Sequence, residues 1–345
     1  MTPSSEATSA EFLFDDAADL SLLDGATVAV IGYGNQGRSQ ALNLRDEGID
    51  VLVGAPRDST AAEAEKDGLR VGGIAEVVAK AKVVMLLVPD EVQAAIFDDQ
   101  IRPSLQSDAI LCFAHGFNVH YGVIVPPPDV DVVLVAPRMI GKGVRDTFVD
   151  GEGFPSLVAV AQDHSGKALD HALAIAKGIG STKAGVIVST FKEETELDLY
   201  MEQIGNIYAI RANFEVLTEA GYAPEAILLE LFASGETAEI FKAAHDIGLF
   251  HQLRLHSRTS QYGQQVTAER FQDPEARKSQ LRKVIGHIQS GEFAKEWEAE
   301  REAGLVNLKA KTDENLRHPM QVAENRLYRI LNRRDQDITE ATWLD

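Results

Sequence analysis

The 345-residue chain has a single cysteine, Cys112, so no disulfide can form within one copy. The sequence therefore carries no sign of an oxidising compartment. Cys112 lies in the apolar run 110–114, which indicates a buried thiol rather than a nucleophile. No apolar stretch approaches the roughly 18 residues of a membrane span, and residues 2–11 are polar, without the apolar core of a leader. We expect a cytoplasmic protein.

Basic residues are also few, since 33 Lys and Arg stand against 53 Asp and Glu, a net charge of -20. A surface this acidic repels nucleic acid and anionic membranes and offers no basic stripe for either. Hydrophobic residues make up 45% of the chain, which is typical of a globular protein with a full-sized core. We therefore expect a small-molecule substrate and neither a nucleic-acid nor a membrane partner.

An apolar run at 28–31 ends directly in a G-x-G-x-x-G loop at 32–37. A backbone that approaches a phosphate cannot carry Cβ atoms at the contact points, and the third glycine lets the next helix pack on its strand. A helical stretch at 38–47 and a second strand at 50–53 supply the βαβ unit that the motif needs. This context favours a dinucleotide pyrophosphate site at the helix N-terminus over a plain structural glycine turn.

Continuous apolar runs recur along the first half of the chain, at 83–88, 109–113, 132–135, 157–160 and 186–188. Continuous rather than alternating runs predict strands that are buried on both faces. After residue 190 the pattern becomes helical, with Ala/Leu/Glu-rich stretches at 193–220, 224–249 and 274–301. The fold class is therefore α/β, with an N-terminal Rossmann-type, doubly wound, mostly parallel sheet and an all-α C-terminal domain.

We expect four segments along the chain. Residues 1–11 form a disordered tail, 12–189 the dinucleotide-binding domain, 190–335 a helical metal and substrate domain, and 336–345 a C-terminal tail.

The helical domain opens on an acidic stretch in which Asp198 and Glu202 stand four residues apart. On a helix their carboxylates share one face, where adjacent like charges are unfavourable unless a cation lies between them. Oxygen ligands of this kind suit Mg²⁺, which typically takes one or two carboxylates and keeps several waters. A solvated acidic helix face is the alternative, and the residues alone leave both interpretations open.

Four segments resemble ketol-acid reductoisomerase, the acetohydroxyacid isomeroreductase family of branched-chain amino-acid synthesis. They are Ile31–Gly37, Pro89–Gln93, Phe113–Tyr121 and Thr190–Thr195. The match is in order, runs from about residue 12 to residue 318, and is similar in length to the short form of the family. The resemblance implies Mg²⁺-dependent alkyl migration in a 2-hydroxy-3-keto acid, coupled to hydride transfer from NADPH. It also implies a knotted helical domain and a homodimer or higher homo-oligomer.

By position, the resemblance implies that Asp198 bridges two Mg²⁺ ions, Glu202 is a further ligand to one of them, and Glu230 completes the site from the partner subunit. Ser257 corresponds to the serine that contacts the substrate carboxylate. His115 corresponds to the histidine near the cofactor and the metal-bound waters; without the resemblance it would more often be a loop histidine with no catalytic task.

The expected site therefore has three overlapping sets. The catalytic residues are His115, Arg138, Glu202 and Ser257, and the metal ligands are Asp198, Glu202 and Glu230. The cofactor residues are Gly32, Tyr33, Gly34, Asn35, Gln36, Gly37, Arg57, Asp58, Ser59, Pro89, Asp90, Gln93, His115 and Gly141.

Several positions depart from the family pattern. Ser234 stands where the family has a second glutamate, one turn beyond Glu230, and Arg138 replaces a lysine. Met139-Ile140-Gly141 replaces Gly-Pro-Gly, Gln261 replaces a glutamate, and Met201 a glycine. Arg and Lys are not interchangeable at a compact charged site, because the planar fork needs more room. Since these departures lie on the metal and substrate side, redox chemistry is expected to remain while isomerisation or substrate range has shifted.

Cofactor choice depends on the loop after the second strand. Arg57, Ser59 and Thr60 could bind the 2′-phosphate of NADPH, whereas Asp58 lies about 20 residues past the fingerprint, where an acid often binds the ribose diol of NADH. We expect NADPH, with NADH as the alternative.

The function is predicted to be that of a ketol-acid reductoisomerase-like, Mg²⁺-dependent oxidoreductase. One alternative is a specialised relative that only reduces a ketone or imine, or that isomerises another substrate. A second is a non-catalytic dinucleotide-binding sensor or scaffold. Retention of clustered carboxylates that repel one another speaks against the scaffold.

Overall fold

The computed structural model describes residues 10–56 and 59–340. Its contacts divide the chain into two compact units, Met1–Asp198 and Leu199–Asp345. The division falls within a helix, later in the chain than the boundary expected at residue 189. The domain ranges 12–189 and 190–335 stay predictions, and the two expected tails fall largely outside the described residues.

The first unit contains one nine-stranded sheet in the order β1-β9-β8-β7-β6-β5-β2-β3-β4. The strands are β1 (Phe12–Leu13), β2 (Thr27–Ile31), β3 (Asp50–Gly54), β4 (Arg70–Gly72), β5 (Val83–Leu86), β6 (Ile110–Phe113), β7 (Asp131–Pro137), β8 (Ser156–Gln162) and β9 (Val186–Val188). All pairings are parallel except β1 with β9 and β7 with β8. This confirms the predicted mostly parallel sheet.

Helices cover both faces of this sheet, which is why its central strands are apolar throughout. The helices of the first unit are α1 (Asn35–Asp46), α2 (Ser59–Lys66), α3 (Ile74–Val78), α4 (Asp90–Ile96), α5 (Phe117–His120), α6 (Gly141–Val149) and α7 (Ala168–Ile179), and α8 (Phe191–Gln203) continues into the second unit. One buried cluster joins the sheet to α1 and α7, and another joins its opposite face to α3 and the π-helical turn Phe97–Ile101. The doubly wound architecture is therefore confirmed.

The second unit is helical throughout the part that the structure describes. After α8 come α9 (Asn206–Glu219), α10 (Pro224–Leu228), α11 (Glu236–Ile247), α12 (Arg258–Tyr262), α13 (Pro274–Gln289), α14 (Glu292–Glu302), α15 (Val306–Leu316) and α16 (Pro319–Ile330). A small core of its own lies around Phe214, Leu228 and Leu327. The all-α character of this part is as predicted.

Two features differ from the expectation. Strands β1 and β4 have only two and three residues, too few for an apolar pattern to stand out. Each long helical stretch is also interrupted at a glycine, namely Gly205 (φ 84°), Gly235 (φ 91°) and Gly291 (φ 76°). Left-handed backbone of this kind ends a helix and carries no Cβ penalty at glycine, so each stretch forms shorter helices.

The environment of the single cysteine agrees with its predicted role. Cys112 lies in β6 with 1% of its surface exposed, and burial raises the pKa of its thiol to about 12. Such a thiol is not ionised near neutral pH and packs as a small apolar group. Separately, none of the helices in the described ranges has both the length and the apolar character that a bilayer crossing needs.

The sheet core predicts a large effect of truncating Phe154, a fully buried residue in the segment that connects α6 to β8. Phe154→Ala should lower the free energy of unfolding by about 3–5 kcal/mol, because it removes a buried ring and leaves a cavity. The matched control is Val149→Ala, whose side chain is 64% exposed and which should change stability by less than about 0.5 kcal/mol. Urea denaturation of the three proteins measures both, and equal midpoints would refute the assigned core position.

Candidate active site at the carboxyl edge of the sheet

The glycine loop after β2 requires glycine at two positions for steric reasons. Gly32 has φ 97°, and a Cβ built there would lie 2.8 Å from Val88 Cγ1. A Cβ on Gly37 would lie 2.2 Å from the carbonyl oxygen of Gly32. Nothing lies within 4 Å of the position a Cβ on Gly34 would take, which leaves that part of the loop open. The loop therefore packs α1 closely on β2 and keeps an open face for a ligand at the helix N-terminus.

The start of α6 packs against this loop. A Cβ on Gly141 would lie 2.1 Å from the carbonyl oxygen of Asn35, and Gln36 Nε2 donates to the carbonyl oxygen of Met139 at 2.9 Å. Although the family's Gly-Pro-Gly is absent here, Gly141 keeps the position where the two backbones meet. Cofactor contact by Gly141, Asn35 and Gln36 stays a prediction.

Tyr33 is buried and hydrogen-bonded within the protein. It is 3% exposed, its hydroxyl donates to Asp67 Oδ2 at 2.9 Å, and burial raises the pKa of its phenol. The same carboxylate accepts a hydrogen bond from Arg38 Nε at 2.8 Å. Its side chain thus joins the glycine loop to the segment after α2, while its expected role in cofactor binding stays a prediction.

A cavity of about 890 Å³ lies beside the ends of β3 and β4. Its lining includes Ala55, Gly72 and Ile74, together with the carboxylates Glu65 and Glu76. The position next to the second βα unit is where a Rossmann fold binds the adenosine half of a dinucleotide. Arg57 and Asp58, on which the NADPH preference was predicted to depend, lie outside the described residues, and Ser59 begins α2.

A second cavity, of about 290 Å³, lies at the carboxyl ends of β5, β6 and β7. Carboxyl ends of parallel strands meet at one edge of the sheet, which is where open α/β folds bind ligands. Its lining includes six polar side chains near the strand ends and α8, namely Asp90, Gln93, His115, Arg138, Glu194 and Asp198. Five of these, all except Glu194, are predicted site residues, and the cavity brings them together.

A hydrogen-bond network fixes the loop after β5. Gln93 Nε2 donates to the carbonyl oxygen of Val88 at 2.9 Å, and Asn118 Nδ2 donates to the side chain of Gln93 and to the carbonyl oxygen of Asp90, both at 3.0 Å. Gln93 and Asn118 are buried, at 4% and 3% exposure. Pro89 and Asp90 begin α4 from this fixed loop. Gln93 therefore stabilises the conformation of the loop, and its contact with a cofactor stays a prediction.

Asp90 also orients His115. The carboxylate Oδ2 accepts from His115 Nδ1 at 2.6 Å, so Nε2 is directed toward Asp198 Oδ2, 3.7 Å away. Burial by itself lowers the pKa of His115, but the hydrogen bond and charge of Asp90, with the charges of Glu194 and Asp198, raise it to about 9. Without a metal ion, the imidazole is therefore protonated at neutral pH.

Arg138 joins two carboxylates of α8. Its Nη1 donates to Asp198 Oδ1 and its Nη2 to Glu194 Oε1, each at 2.9 Å. The Glu194 side chain is fully buried and accepts a second hydrogen bond, from the backbone N–H of Gly116 at 2.8 Å. Burial raises the pKa of Glu194, while His115, the Gly116 N–H and Arg138 oppose that rise.

The sequence interpretation missed Glu194 as a site residue. A signal was present, because Glu194, Asp198 and Glu202 follow one another at four-residue intervals and so share a helix face. The metal-site prediction rests on the pair Asp198 and Glu202 alone.

Among the described residues, His115, Glu194 and Asp198 form one group whose ligand atoms lie within 4.8 Å of one another. His115 Nε2 is shielded from solvent and has no hydrogen-bond partner. A buried polar atom without a partner is unfavourable, so an ion or ligand at this point would satisfy it. Two carboxylates and an imidazole are a donor set that fits a divalent cation.

Other expected or departing positions lie in the second unit. Glu202 is exposed on the last turn of α8, and Glu230 is exposed on the π-helical turn Leu229–Ala233. Ser257 is the N-cap of α12 and accepts from the Ser260 N–H, whereas Ser234 is exposed just before α11. Met201 is 58% exposed. Metal binding by Glu202 and Glu230 and substrate binding by Ser257 stay predictions.

Two family models match the chain. Residues 22–185 match the acetohydroxy acid isomeroreductase NADPH-binding domain, and residues 191–333 match the ketol-acid reductoisomerase C-terminal domain.

Proteins and a solved structure that are similar to this chain bear the name of the same family. A ketol-acid reductoisomerase (NADP(+)) of Pyrobaculum calidifontis is 46% identical over 322 residues, covering 92% of this chain and 97% of the relative. That of Pyrobaculum aerophilum is 44% identical, covering 93% and 99%. The solved structure of an NADH-preferring ketol-acid reductoisomerase from an uncultured archaeon superposes with a TM-score of 0.88 at 38% identity, covering 94% of this chain and all of that one.

The Asp90 contact predicts a measurable change in His115. In Asp90→Asn the hydrogen-bonded charge that raises the pKa is lost and burial remains, so the pKa of His115 should fall from about 9 toward or below its ordinary value. Because the pKa is raised in the folded state, the stabilisation from protonated His115 is present below the unfolded pKa and is lost as pH rises through about 9. In the variant, whose folded pKa is expected near or below the ordinary value, this pH-dependent stabilisation should be small or absent.

Titration of the His115 ring signals by NMR, in metal-free protein, measures this change. Asp98→Asn is the matched control, since it removes the same charge from a residue that pairs with Arg102 and not with His115. An unchanged His115 titration in Asp90→Asn would contradict the orienting role of Asp90.

Proposed function

The chain belongs to the ketol-acid reductoisomerase family and is an NAD(P)H-dependent oxidoreductase, and we propose that it reduces a small, metal-chelating hydroxy-oxo acid with Mg²⁺ as the required ion. The observation that supports this most is the cavity at the sheet edge, where Asp198, Glu194 and His115 lie close together and share the lining with Gln36 of the glycine loop. The proposed substrate class is an acetohydroxy acid such as 2-acetolactate, as in branched-chain amino-acid synthesis.

The proposed cofactor is NADPH, held along the carboxyl edge of the sheet. The open face at Gly34 and the N-terminus of α1 suit the pyrophosphate, and the cavity beside β3 and β4 suits the adenosine half. The curated Pyrobaculum relatives are named for NADP(+), whereas the relative of known structure prefers NADH. Arg57 and Ser59 are the proposed contacts to a 2′-phosphate, and Asp58 the contact that would favour NADH.

The proposed Mg²⁺ ligand of the first unit is Asp198, with Glu202 and Glu230 completing the set as the family resemblance implies. When bound, Mg²⁺ would polarise the substrate carbonyl and stabilise an alkoxide. Asp198 suits this role because its Oδ2 is directed toward the cavity near His115 Nε2, and its helix is fixed by the buried Glu194.

His115 and Arg138 are proposed to act on charge and protons at this site. Asp90 holds the Nδ1 side of the imidazole, so only Nε2 is available to exchange a proton with a group in the cavity. Since metal ligation requires groups without competing protons, cation binding here is coupled to proton release. Arg138 fixes the two carboxylates of α8 through charge-assisted hydrogen bonds. Ser257 is the proposed contact to the substrate carboxylate.

The departures favour a specialised substrate as the alternative within the family. Arg138 and Ser234 change charge or size where the resemblance places metal and substrate groups. A coupled assay that follows NADPH oxidation with 2-acetolactate and Mg²⁺ distinguishes the two. Turnover would support the family activity, and binding of NADPH without turnover on acetohydroxy acids would support the specialised relative or the non-catalytic protein.

We also propose a homodimer as the minimum assembly. The second unit exposes large apolar side chains, including Ile207 (71%), Phe241 (67%), Phe250 (83%) and Phe271 (81%). Exposed apolar surface on this scale is typical of protein–protein interfaces. A second copy as partner agrees with the resemblance, in which the partner subunit supplies Glu230.

Replacing the proposed metal ligand tests the enzyme proposal. Asp198→Asn should reduce Mg²⁺-dependent turnover by more than about 100-fold, because even groups that only support a metal ligand typically contribute about 10–100-fold. NADPH affinity, measured by fluorescence titration, should stay nearly unchanged, since the cofactor contacts lie on other elements. The matched control is Asp170→Asn, at an exposed position of α7. Simultaneous loss of NADPH binding would contradict the division between cofactor and metal groups.

Restoring a carboxylate tests whether its absence limits the isomerisation. Ser234→Glu should raise the turnover of 2-acetolactate, because it returns an oxygen donor and a negative charge to the position where the family has glutamate. Ser279→Glu, at an exposed position of α13, adds the same charge elsewhere and should leave turnover unchanged. A kinetic comparison at saturating Mg²⁺ decides, and no gain in Ser234→Glu would assign the limitation to Arg138.

A further inference from the structure

Arg138 binds one carboxylate oxygen of each of two acidic residues on α8. One guanidinium nitrogen binds Asp198 Oδ1 and another binds Glu194 Oε1, both at 2.9 Å. The third nitrogen, Nε, donates to the carbonyl oxygen of Ala136 at 3.3 Å, which holds the guanidinium at the end of β7. The fork is therefore fixed by three acceptors on two elements.

The remaining oxygens of the two carboxylates differ in availability. Glu194 Oε2 accepts the Gly116 N–H at 2.8 Å, so both oxygens of this buried carboxylate are engaged. Among the described residues no hydrogen bond to Asp198 Oδ2 is present, and His115 Nε2, itself without a hydrogen-bond partner, lies 3.7 Å from it. One side of Asp198 thus faces a fixed cation and the other side faces an unsatisfied ligand atom.

From this asymmetry we propose that the Arg138 guanidinium takes the place of a second metal ion on Asp198, so that each subunit binds one divalent cation, on the Oδ2 side. This inference rests on the proposed function, which assigns Asp198 as a Mg²⁺ ligand. The guanidinium supplies positive charge that does not depend on metal concentration.

Electrostatics and geometry both support a single ion. A metal ion on Asp198 Oδ1 would lie next to the Arg138 guanidinium that already binds this oxygen, and two cations in contact with one oxygen repel each other strongly in a partly buried site. The planar guanidinium contacts both carboxylates at once through two nitrogens in a fixed geometry. A lysine ammonium is a single point charge and would not hold both carboxylates in this geometry. Ser234 agrees with this, since a hydroxyl brings no charge to balance a second ion.

Counting bound Mn²⁺ tests the proposal without reference to turnover. Equilibrium dialysis of the full-length protein with NADPH and Mn²⁺ should give one ion per subunit, and its electron paramagnetic resonance spectrum should be that of an isolated ion. Arg138→Met keeps the apolar stem but frees Asp198 Oδ1 and Glu194 Oε1. It should bind a second ion and show spin coupling between the two.

Two further variants keep the result interpretable. Arg138→Lys retains a charge without the fork and should also bind more Mn²⁺ than the parent protein, which covers the case in which Arg138→Met fails to fold. Arg102→Met is the matched control, because Arg102 pairs with Asp98 away from the cavity, and it should keep one ion. Thermal unfolding and NADPH binding verify the fold of each.

The outcomes separate the two proposals. Two Mn²⁺ per subunit in the parent protein would overturn the role of Arg138 and leave the metal site intact. One ion in the parent protein and in both Arg138 variants would also overturn it. No Mn²⁺ in the parent protein would overturn the proposed metal site, and this inference with it.

Discussion

The buried carboxylate of Glu194 is the constraint on which the site depends. A fully buried charge must be compensated, and here the compensation comes from Arg138 at the end of β7 and from the Gly116 N–H after β6. These contacts fix the start of α8 against the sheet edge. As a result Asp198, one turn later, faces the same cavity as His115 and Asp90. A structural ion pair thus sets the position of the group to which we assign metal binding.

The order and type of the main elements could be predicted because local sequence determines them strongly. Continuous apolar runs identified the buried strands from β2 to β9 apart from β4, and the glycine loop identified the first βαβ unit. The short strands β1 and β4 carry too few residues for such a pattern. The helical stretches of the second unit were predicted too long because Gly205, Gly235 and Gly291 adopt left-handed backbone, which a helical composition pattern does not reveal.

Part of the site could be predicted because the family resemblance assigned His115, Asp90 and Arg138, and the structure places these side chains around one cavity at the carboxyl edge of the sheet. The contact of Arg138 with Glu194 and Asp198 could not, because it joins residues 56 and 60 positions apart in the sequence. Such long-range pairs depend on how α8 packs on the sheet. The same holds for the contact between Asp90 and His115, 25 positions apart. What the sequence did show was a substitution, arginine for lysine, and its meaning followed only from the geometry.

Arg138 binds Asp198 Oδ1, and we propose that a divalent cation binds Asp198 Oδ2. The most direct measurement is anomalous diffraction from crystals grown with Mn²⁺ and NADPH. The account predicts a single manganese peak bonded to Asp198 Oδ2, with the Arg138 guanidinium still on Oδ1. A peak on Oδ1 with Arg138 displaced, or no manganese at Asp198, would contradict it.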